Sequence, residues 1–394
     1  MSKPRVAVVV SHPIQHFVPG YASWAACGPW DLRVFFASAI GAKPYFDQRF
    51  GRTVQWEGMD LSRFAHQFLN GGEAVPVDPR LDAPDLEGAL EAYGPDALLV
   101  YGYVQRLQRR AAAWARRRGV KLLYIADTER HLRPPAWKEM AKRPLVGRHL
   151  RRMDAFLTVG NANEDVYRSY GIGDDRLVRT GFTIDLALYR RSWEQRDELR
   201  ERTRARLGLE DDEIALSVVG KLVEWKSQEH LLAALERLAE GPQRYVAVII
   251  GTGEDEQKLR SRAAGLARHR AVFAGFVQPR ELPGSYAASD LYVHPARIEP
   301  HSLAISEAIY MGLPVVLSDR CGSYGPTDDV QPGRNGFVHP WGDTDALAAA
   351  IRRLATDPEL RLQFGRAGHE FAVRSQDRAH GGGLEASLRA LNLL

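Results

Sequence analysis

Residues 296–307 read ARIEPHSLAISE and decide the fold of this chain, because its two glutamates, Glu299 and Glu307, flank a strand-to-helix junction. The residues before this stretch, DLYVHP at 290–295, predict a short strand that ends at a proline. The residues after it, AIYMGLP at 308–314, predict a helix that ends at a glycine and then a proline, and the VVLSD that follows predicts another strand. Glu299 is therefore expected at the carboxyl end of a strand, where open parallel sheets bind ligands.

The chemistry of this junction suits a ligand that carries both phosphate and hydroxyl groups. Ser302 is a candidate N-cap, so we expect the amides of Ser302, Leu303 and Ala304 to face an anion. Carboxylates accept hydrogen bonds, as sugar hydroxyls require. Eight helical residues span about 12 Å, which exceeds the roughly 5–9.5 Å between the paired carboxylates of glycosidases. From the spacing alone, an ordinary capped helix with a glutamate in its opening turns explains the segment equally well.

Length and composition are those of an ordinary globular protein. The 394 residues are 45% hydrophobic and 26% charged, which predicts two or three domains. The net charge of +4 allows attraction to anionic surfaces without identifying a partner, and we expect no nucleic acid. Cys27 and Cys321 lie in no CxxC context, which favours a reducing compartment and argues against structural zinc. We expect no signal peptide and no transmembrane helix, since the apolar run at 6–10 is short.

Strand and helix patterns alternate along the chain, which predicts an α/β fold with parallel, doubly wound sheets. The charged stretch 189–206 is typical of a solvated helix near an interdomain connection. We expect a first domain at 1–185, a second at 186–375, a cleft between them, and a C-terminal helix at 376–394 that packs back on the first domain. The predicted strands lie at 6–10, 31–37, 96–101, 120–126, 155–159, 214–219, 245–250, 271–273, 290–294, 315–317 and 336–338.

Three loops of the second half carry ligand-binding signals. Residues 220–226, GKLVEWK, hold two lysines that would neutralise a diphosphate, although solvated surface lysines fit the same pattern. Leu222 stands where a Walker loop needs Ser or Thr. Residues 251–254, GTGE, begin like a dinucleotide fingerprint, but Glu256 replaces the third glycine, so we expect a tight turn that approaches a ligand. Residues 273–277, FAGFV, would place backbone groups near a base.

Taken in this order, the fragments resemble the retaining GT-B glycosyltransferases of family 4. The resemblance covers the second half, whereas the first half matches only in its α/β pattern. It implies two Rossmann-like, doubly wound domains that face a central cleft. The fragments lie at 220–226, 251–254, 275–277, 289–295, 299–308, 312–316 and 333–336.

The resemblance also implies roles for individual residues. Lys221 and Lys226 would contact the donor diphosphate, Glu299 would bind the hydroxyls of the transferring sugar, and Glu307 would bind the ribose. Lys221 stands where the family usually has arginine. The resemblance implies no metal and no other cofactor. The remaining donor-binding candidates are Gly220, Gly251, Thr252, Val277, His301, Ser302 and Leu303.

Two loops of the first half supply candidates for binding an acceptor. Residues 11–17, SHPIQHF, and residues 126–131, ADTERH, each follow a predicted strand. His131 is the catalytic candidate of this half, because it would position the acceptor hydroxyl; the catalytic candidates of the second half are Lys221, Lys226 and Glu299. Exposed or locally bonded loop residues fit both patterns as well. The acceptor-binding candidates are His12, Gln15, His16, Asp127 and Glu129.

The segment 130–152 carries eight basic residues and one acidic residue, with apolar side chains between them. This pattern predicts contact with an anionic membrane, which would suit a lipid-linked acceptor. A solvated face beside the cleft explains the charges slightly better. We therefore expect a cytoplasmic protein, with peripheral association at the inner face of the membrane as the alternative use of this segment.

These features together predict a retaining glycosyltransferase that moves a sugar from a nucleotide-diphosphate sugar to a carbohydrate or lipid-linked acceptor, in bacterial surface polysaccharide or glycolipid synthesis. One alternative is a sugar-nucleotide epimerase or a coupling enzyme of the same fold. Another is a non-catalytic partner that binds nucleotide sugars. A nicotinamide dehydrogenase is disfavoured by the missing third glycine.

Overall fold

Two parallel sheets organise the chain in a computed structural model that describes residues 3–15, 17–42, 45–47, 52–54, 59–128 and 136–394. The first half contains β1 (Arg5–Val10), α1 (Val18–Cys27), β2 (Asp31–Phe36), β3 (Tyr45–Asp47), β4 (Arg52–Val54), β5 (Ala65–Phe68), α2 (Leu86–Tyr93), β6 (Ala97–Tyr101), α3 (Arg106–Arg118), β7 (Lys121–Ile125), α4 (Ala136–Leu150), β8 (Ala155–Thr158), α5 (Asn161–Ser169) and β9 (Leu177–Arg179). The second half contains α6 (Leu186–Glu194), α7 (Arg196–Leu207), β10 (Glu213–Val219), α8 (Glu229–Arg237), β11 (Arg244–Ile250), α9 (Glu256–Ala263), β12 (Arg270–Gly275), α10 (Leu282–Ala287), β13 (Leu291–His294), α11 (Leu303–Tyr310), β14 (Val315–Ser318), β15 (Gly336–His339), α12 (Thr344–Thr356), α13 (Pro358–Asp377) and α14 (Gly383–Ala390).

Both sheets are doubly wound, as predicted. The first sheet has the strand order β5-β2-β1-β6-β7-β8-β9, and the second has β12-β11-β10-β13-β14-β15. Apolar clusters cover both faces of each sheet, which explains why the strands are continuous hydrophobic runs. Strand order reverses between β1 and β6 and again between β10 and β13, so each sheet opens a crevice at the carboxyl ends of these strands.

The charged stretch 189–206 is not the single solvated helix that we predicted. It forms two helices, α6 and α7, and its residues Tyr189 and Arg204 are buried. The Arg204 guanidinium donates hydrogen bonds to the carbonyls of Ala288, at 3.1 Å, and Glu213, at 3.1 Å. Charge content alone does not reveal such burial, because the carbonyls that satisfy the guanidinium are remote in sequence.

The chain crosses between the sheets twice, and the two crossing segments touch. The first follows β9, and the second is the π-helical turn Arg378–Gly382 between α13 and α14. Ile184 N donates to Gln376 Oε1 at 3.0 Å, and Gln376 Nε2 donates to the Phe182 carbonyl at 3.2 Å. Beyond the second crossing, Leu384 and Leu388 of α14 are buried in the core of the first sheet.

The glycines at 251 and 253 pack closely against the neighbouring loop 220–222. A Cβ on Gly251 would lie 1.9 Å from the Gly220 carbonyl oxygen, and one on Gly253 would lie 2.2 Å from that of Leu222. The two loops are joined by hydrogen bonds from Gly220 N to the Ile250 carbonyl and from Leu222 N to the Thr252 carbonyl, both 3.0 Å. Glycine is required because the two backbones run side by side.

We predict that Gly251→Ala destabilises the protein more than Gly241→Ala does. Both glycines have a positive φ, 135° and 116°, so either substitution costs about 1–3 kcal/mol in backbone strain. A Cβ at Gly241 meets nothing within 4 Å, whereas one at Gly251 collides with backbone and costs roughly another 1–3 kcal/mol. Urea denaturation of both variants measures the difference, and equal losses would contradict the close loop packing.

Candidate functional site

A cavity of about 380 Å³, here called the main cleft, lies between the two halves of the chain. Five of the predicted donor-binding residues line it from the second half. Gln15, predicted as an acceptor contact, lines the same cavity from the first half, beside Pro19. The five residues from the second half are Gly220, Gly251, Val277, Leu303 and Glu307.

Lys226 and Glu299 form a largely buried ion pair beside the main cleft. Backbone hydrogen bonding holds the two loops together, since Arg297 N donates to the Trp225 carbonyl at 2.8 Å. Burial favours a raised pKa for Glu299, but the charge of Lys226 and the hydrogen bond from His294 outweigh it and lower this pKa to about 2. The Lys226 Cε lies 3.9 Å from the point where a Cβ on Gly220 would stand, so the lysine is next to a residue that lines the cleft, although neither Lys226 nor Glu299 lines it.

His294 supports Glu299 from the buried end of β13. The His294 Nε2 lies 3.1 Å from Glu299 Oε2, and its Nδ1 lies 3.2 Å from the Tyr292 hydroxyl. Burial lowers the pKa of His294, so the ring is neutral near pH 7. A neutral ring that donates from Nε2 and accepts at Nδ1 satisfies both contacts. Sequence reasoning missed this residue, although a histidine that ends an apolar strand was the available signal.

Glu307 is partly buried in the second turn of α11 and lines the main cleft. The Tyr286 hydroxyl donates to Glu307 Oε2 at 2.8 Å, and the Tyr189 hydroxyl faces the same carboxyl group. Burial raises the pKa of Glu307 to about 7, against the opposing effect of the two tyrosines. Both protonation states are therefore populated near neutral pH, and the group can donate as well as accept a hydrogen bond.

Two predicted donor contacts are turned away from the main cleft. Ser302 N donates to Ser323 Oγ at 2.9 Å, so the expectation that this amide faces an anion is wrong. His301 Nε2 instead lies 3.4 Å from Asp329 Oδ2, and its ring packs edge-on to Phe182 at 5.5 Å. Burial opposes charge on His301, but the bond to Asp329 outweighs it and raises the pKa.

Lys221 and Thr252 occupy the adjoining loops without lining the main cleft. The Lys221 carbonyl accepts a hydrogen bond of 2.9 Å from Gln228 Nε2, which fixes the loop backbone. The Thr252 Oγ1 is buried and has no hydrogen-bond partner among the described residues.

A second cavity, of about 460 Å³, opens at the carboxyl ends of β1, β6 and β7 and is here called the first-domain pocket. Asp127 lines it as an exposed residue, and partial desolvation by the surrounding protein raises the pKa of its carboxyl group. The charges of His301 and Glu299, from the second half of the chain, have smaller and opposite effects on this pKa. His12 lines neither cavity; it lies 2.9 Å from Ser11 Oγ, and burial lowers its pKa to about 4.

Gln108 is a pocket residue that sequence reasoning missed. Its side chain is 1% exposed and lines the first-domain pocket. Oε1 accepts from Tyr101 N at 3.3 Å, whereas Nε2 is buried without a hydrogen-bond partner in the part of the chain that the structure describes. The only signal was one glutamine on the apolar face of an arginine-rich helix. A buried amide that lacks an acceptor is suited to an oxygen of a bound molecule.

Some predicted features lie outside the described residues: His16, Glu129, His131 and the start of the basic segment. Across the described ranges, no three His, Cys, Asp or Glu side chains converge as metal ligands do. None of the helices within those ranges is long and apolar enough to cross a lipid bilayer.

We predict that Glu307→Gln gains stability relative to the original chain as the pH rises. The folded pKa of about 7 exceeds the unfolded value of 4.5, so the contribution of Glu307 is fully present below pH 4.5 and is lost as the pH rises through 7. Glutamine does not titrate, so the difference between the two chains should shift by on the order of 3 kcal/mol between pH 4 and pH 8. Urea denaturation across this range measures it, and a difference independent of pH would refute the assignment.

Residues 200–371 match the family model of the glycosyl transferases group 1. The chain is 32% identical over 161 residues to the sulfoquinovosyl transferase SQD2 of Arabidopsis thaliana, covering 41% of this chain and 30% of that protein. It is 34% identical over 171 residues to the lipopolysaccharide core biosynthesis glycosyltransferase LpsE of Rhizobium meliloti, covering 43% and 48%. The chain thus spans half or less of the length of these relatives.

The fold of this chain is also found in solved structures. The crystal structure of Alr3699/HepE from Anabaena in complex with UDP superposes with a TM-score of 0.72 at 17% identity, covering 98% of this chain and 100% of that one. At that identity the likeness shows the fold, which is GT-B. Residues 200–371 therefore resemble the glycosyl transferases group 1 family, within a chain that has the GT-B fold.

Proposed function

We propose that this protein is a retaining glycosyltransferase that transfers a sugar from a nucleotide-diphosphate sugar to an acceptor hydroxyl. The observation that carries the proposal is the Lys226–Glu299 ion pair, which lies next to Gly220 at the edge of the cavity that Glu307 lines. The lysine suits the negative phosphates of such a ligand. The carboxylate, which accepts hydrogen bonds, suits the hydroxyls of its neutral sugar.

Each residue on the donor side of the cleft has a separate role in binding the nucleotide sugar. A diphosphate that enters beside Gly220 competes with Glu299 for Lys226, and Lys221 in the same loop adds a second charge. Glu299, once released, accepts hydrogen bonds from the sugar hydroxyls. Glu307 binds the ribose, and the Val277 backbone contacts the base at the far end of the cavity.

The transfer step needs no separate protein base. The acceptor oxygen attacks the anomeric carbon from the side on which the nucleotide departs, so the configuration is retained. The bond from that carbon to the phosphate oxygen breaks with its electron pair, and this oxygen takes the proton of the acceptor hydroxyl. Lys226 and Lys221 stabilise the negative charge that develops on the phosphate. We propose that no metal or other cofactor takes part.

The acceptor side is assigned to the first-domain pocket. Asp127 lines this pocket, and the buried amide of Gln108 offers a donor to an acceptor oxygen. We propose a carbohydrate or lipid-linked acceptor in bacterial surface polysaccharide or glycolipid synthesis, and the name of the relative LpsE supports this context.

We further propose that the protein works peripherally at the cytoplasmic face of a membrane, through segment 130–152. In the described part of this segment, Trp137 is 67% exposed and Leu145 is 74% exposed. Basic side chains on the same helix, at positions such as Arg148, are also exposed. Exposed apolar residues beside cations suit an anionic lipid surface.

We predict that Lys226→Ala lowers the transfer rate about a hundred- to thousandfold, because the leaving phosphate loses its nearest charge. The assay follows product formation from UDP-, GDP-, ADP- and dTDP-sugars, after thermal-shift measurements have shown which of them binds. Lys258→Ala is the control, since Lys258 pairs with Glu229 on an exposed surface and should leave the rate unchanged. Wild-type transfer by the Lys226 variant would count against the proposed function, and product formed from donor alone would point to an epimerase.

Asp127→Asn tests the acceptor side separately. We expect the KM for the acceptor to rise about 10- to 100-fold, as the loss of a charged hydrogen-bond partner predicts. Binding of the nucleotide, measured by calorimetry, should not change, because Asp127 lines the first-domain pocket and not the main cleft. A variant with weakened nucleotide binding and an unaltered acceptor KM would reverse the assignment of the two cavities.

A further inference from the structure

A groove of about 320 Å³ lies between α3 and the end of α4, away from the main cleft. Four arginines line it, and Ala112 and Ala113 of α3 line it with small side chains. His149 and Met153 complete the lining from the second helix and the turn that follows it. We call this the arginine groove, and its arginines are Arg109, Arg116, Arg117 and Arg152.

The charge of the arginine groove is not compensated. Arg117 pairs with Glu87 at 2.7 Å, and Arg109 donates to the carbonyls of Tyr103 and Val104, but no ion pair of Arg109, Arg116 or Arg152 with a carboxylate occurs in the described ranges. Loss of solvent contact and the charges of Arg116 and Arg148 lower the pKa of Arg152, which is a sign of crowding. Clustered cations repel one another unless an anion lies between them.

His149 adds a neutral hydrogen-bonding group to the groove. Burial, together with the charges of Arg152 and Arg109, lowers the pKa of His149 to about 4, so the ring is uncharged near pH 7. Its Nε2 is buried, and no described residue bonds to it. A set of guanidinium groups around an unpartnered imidazole nitrogen matches the oxygens of a phosphate group, which accept hydrogen bonds on every side.

The arginine groove shares a wall with the first-domain pocket. The His149 ring lies 5.9 Å from that of Tyr103 and 6.3 Å from that of Tyr124, and both tyrosines line the pocket. Arg109 also donates to the Tyr103 carbonyl at 3.0 Å. A molecule that presents a hydroxyl at Asp127 therefore has the groove as its next polar surface.

We propose that the arginine groove binds a phosphate group and that the acceptor of this protein is a phosphate-bearing molecule. The inference rests on the proposed function, because it takes the first-domain pocket as the acceptor site. The phosphate belongs either to a membrane lipid or to a soluble phosphate ester. Leu145 is exposed on α4, one turn before Arg148. If the phosphate belongs to a lipid, the acyl chains of that lipid can contact Leu145.

The first test measures the binding of inorganic phosphate to the full chain by calorimetry. We expect saturable binding that weakens at least about tenfold in Arg116→Ala/Arg152→Ala, because each charged hydrogen bond contributes a comparable factor. Arg202→Ala/Arg206→Ala removes the same charge from exposed positions of α7 and should bind as the original chain does. Lys226→Ala, which removes a charge beside the main cleft, should leave the part of the binding that depends on Arg116 and Arg152 in place, and this result separates the groove from the main cleft.

A lysine variant guards against a folding artefact. Arg116→Lys/Arg152→Lys keeps the charge but loses the paired donors of the guanidinium, so we expect intermediate binding with an unchanged thermal midpoint. The absence of saturable phosphate binding, or equal binding by the alanine variant and the original chain, would overturn the proposal. If phosphate binds in the groove and no nucleotide binds anywhere, the proposed function fails and the groove assignment stands.

Vesicles then distinguish the two sources of the phosphate. Phosphatidylcholine vesicles with and without phosphatidic acid are sedimented with the original chain and with Arg116→Ala/Arg152→Ala. Recruitment by phosphatidic acid that depends on the two arginines assigns the phosphate to a lipid. Recruitment that the variant leaves unchanged, together with its loss of inorganic phosphate binding, assigns it to a soluble ester.

Discussion

The site depends on one electrostatic constraint, which is that a lysine and a glutamate are held together where little water reaches them. Each charge of the Lys226–Glu299 pair would be costly to bury alone. The backbone therefore fixes both loops, through the hydrogen bond from Arg297 N to the Trp225 carbonyl and that from Gly322 N to the Glu299 carbonyl, each 2.8 Å. A neutral His294 behind the carboxylate completes the support without adding a competing charge.

The two glutamates of one short stretch of sequence have opposite electrostatic surroundings. Glu299 has a lysine and a histidine beside it, so it stays ionised down to a pKa of about 2. Glu307 has tyrosine hydroxyls beside it and no cation from the residues that the structure describes, and burial raises its pKa to about 7. One residue is a permanent anion, and the other is a hydrogen-bonding group of variable charge. Residue type and spacing alone do not contain this distinction, because it arises from neighbours on other elements.

Hydrophobic periodicity predicted the two doubly wound sheets, because buried parallel strands must be apolar on both faces. The strand β13 and the helix α11 were found from a proline, a capping serine and a glycine. Contacts between remote segments could not be predicted in this way. Ser302 and His301 are oriented by Ser323 and Asp329, more than twenty residues away in the chain. Gln108 was missed because its importance lies in an unmet hydrogen bond, which no sequence pattern records.

The double crossing between the sheets limits how the protein can be divided into fragments and how its two lobes can move. A fragment that stops before the second domain would lack Leu384 and Leu388, and the sheet that they cover would expose part of its core to water. The two lobes therefore depend on each other for folding, although each has its own sheet. The Ile184 backbone bonds to Gln376 at the end of α13 and to His380 in the second crossing, so the two connections are tied to each other. A movement of one lobe against the other therefore has to carry both connections together.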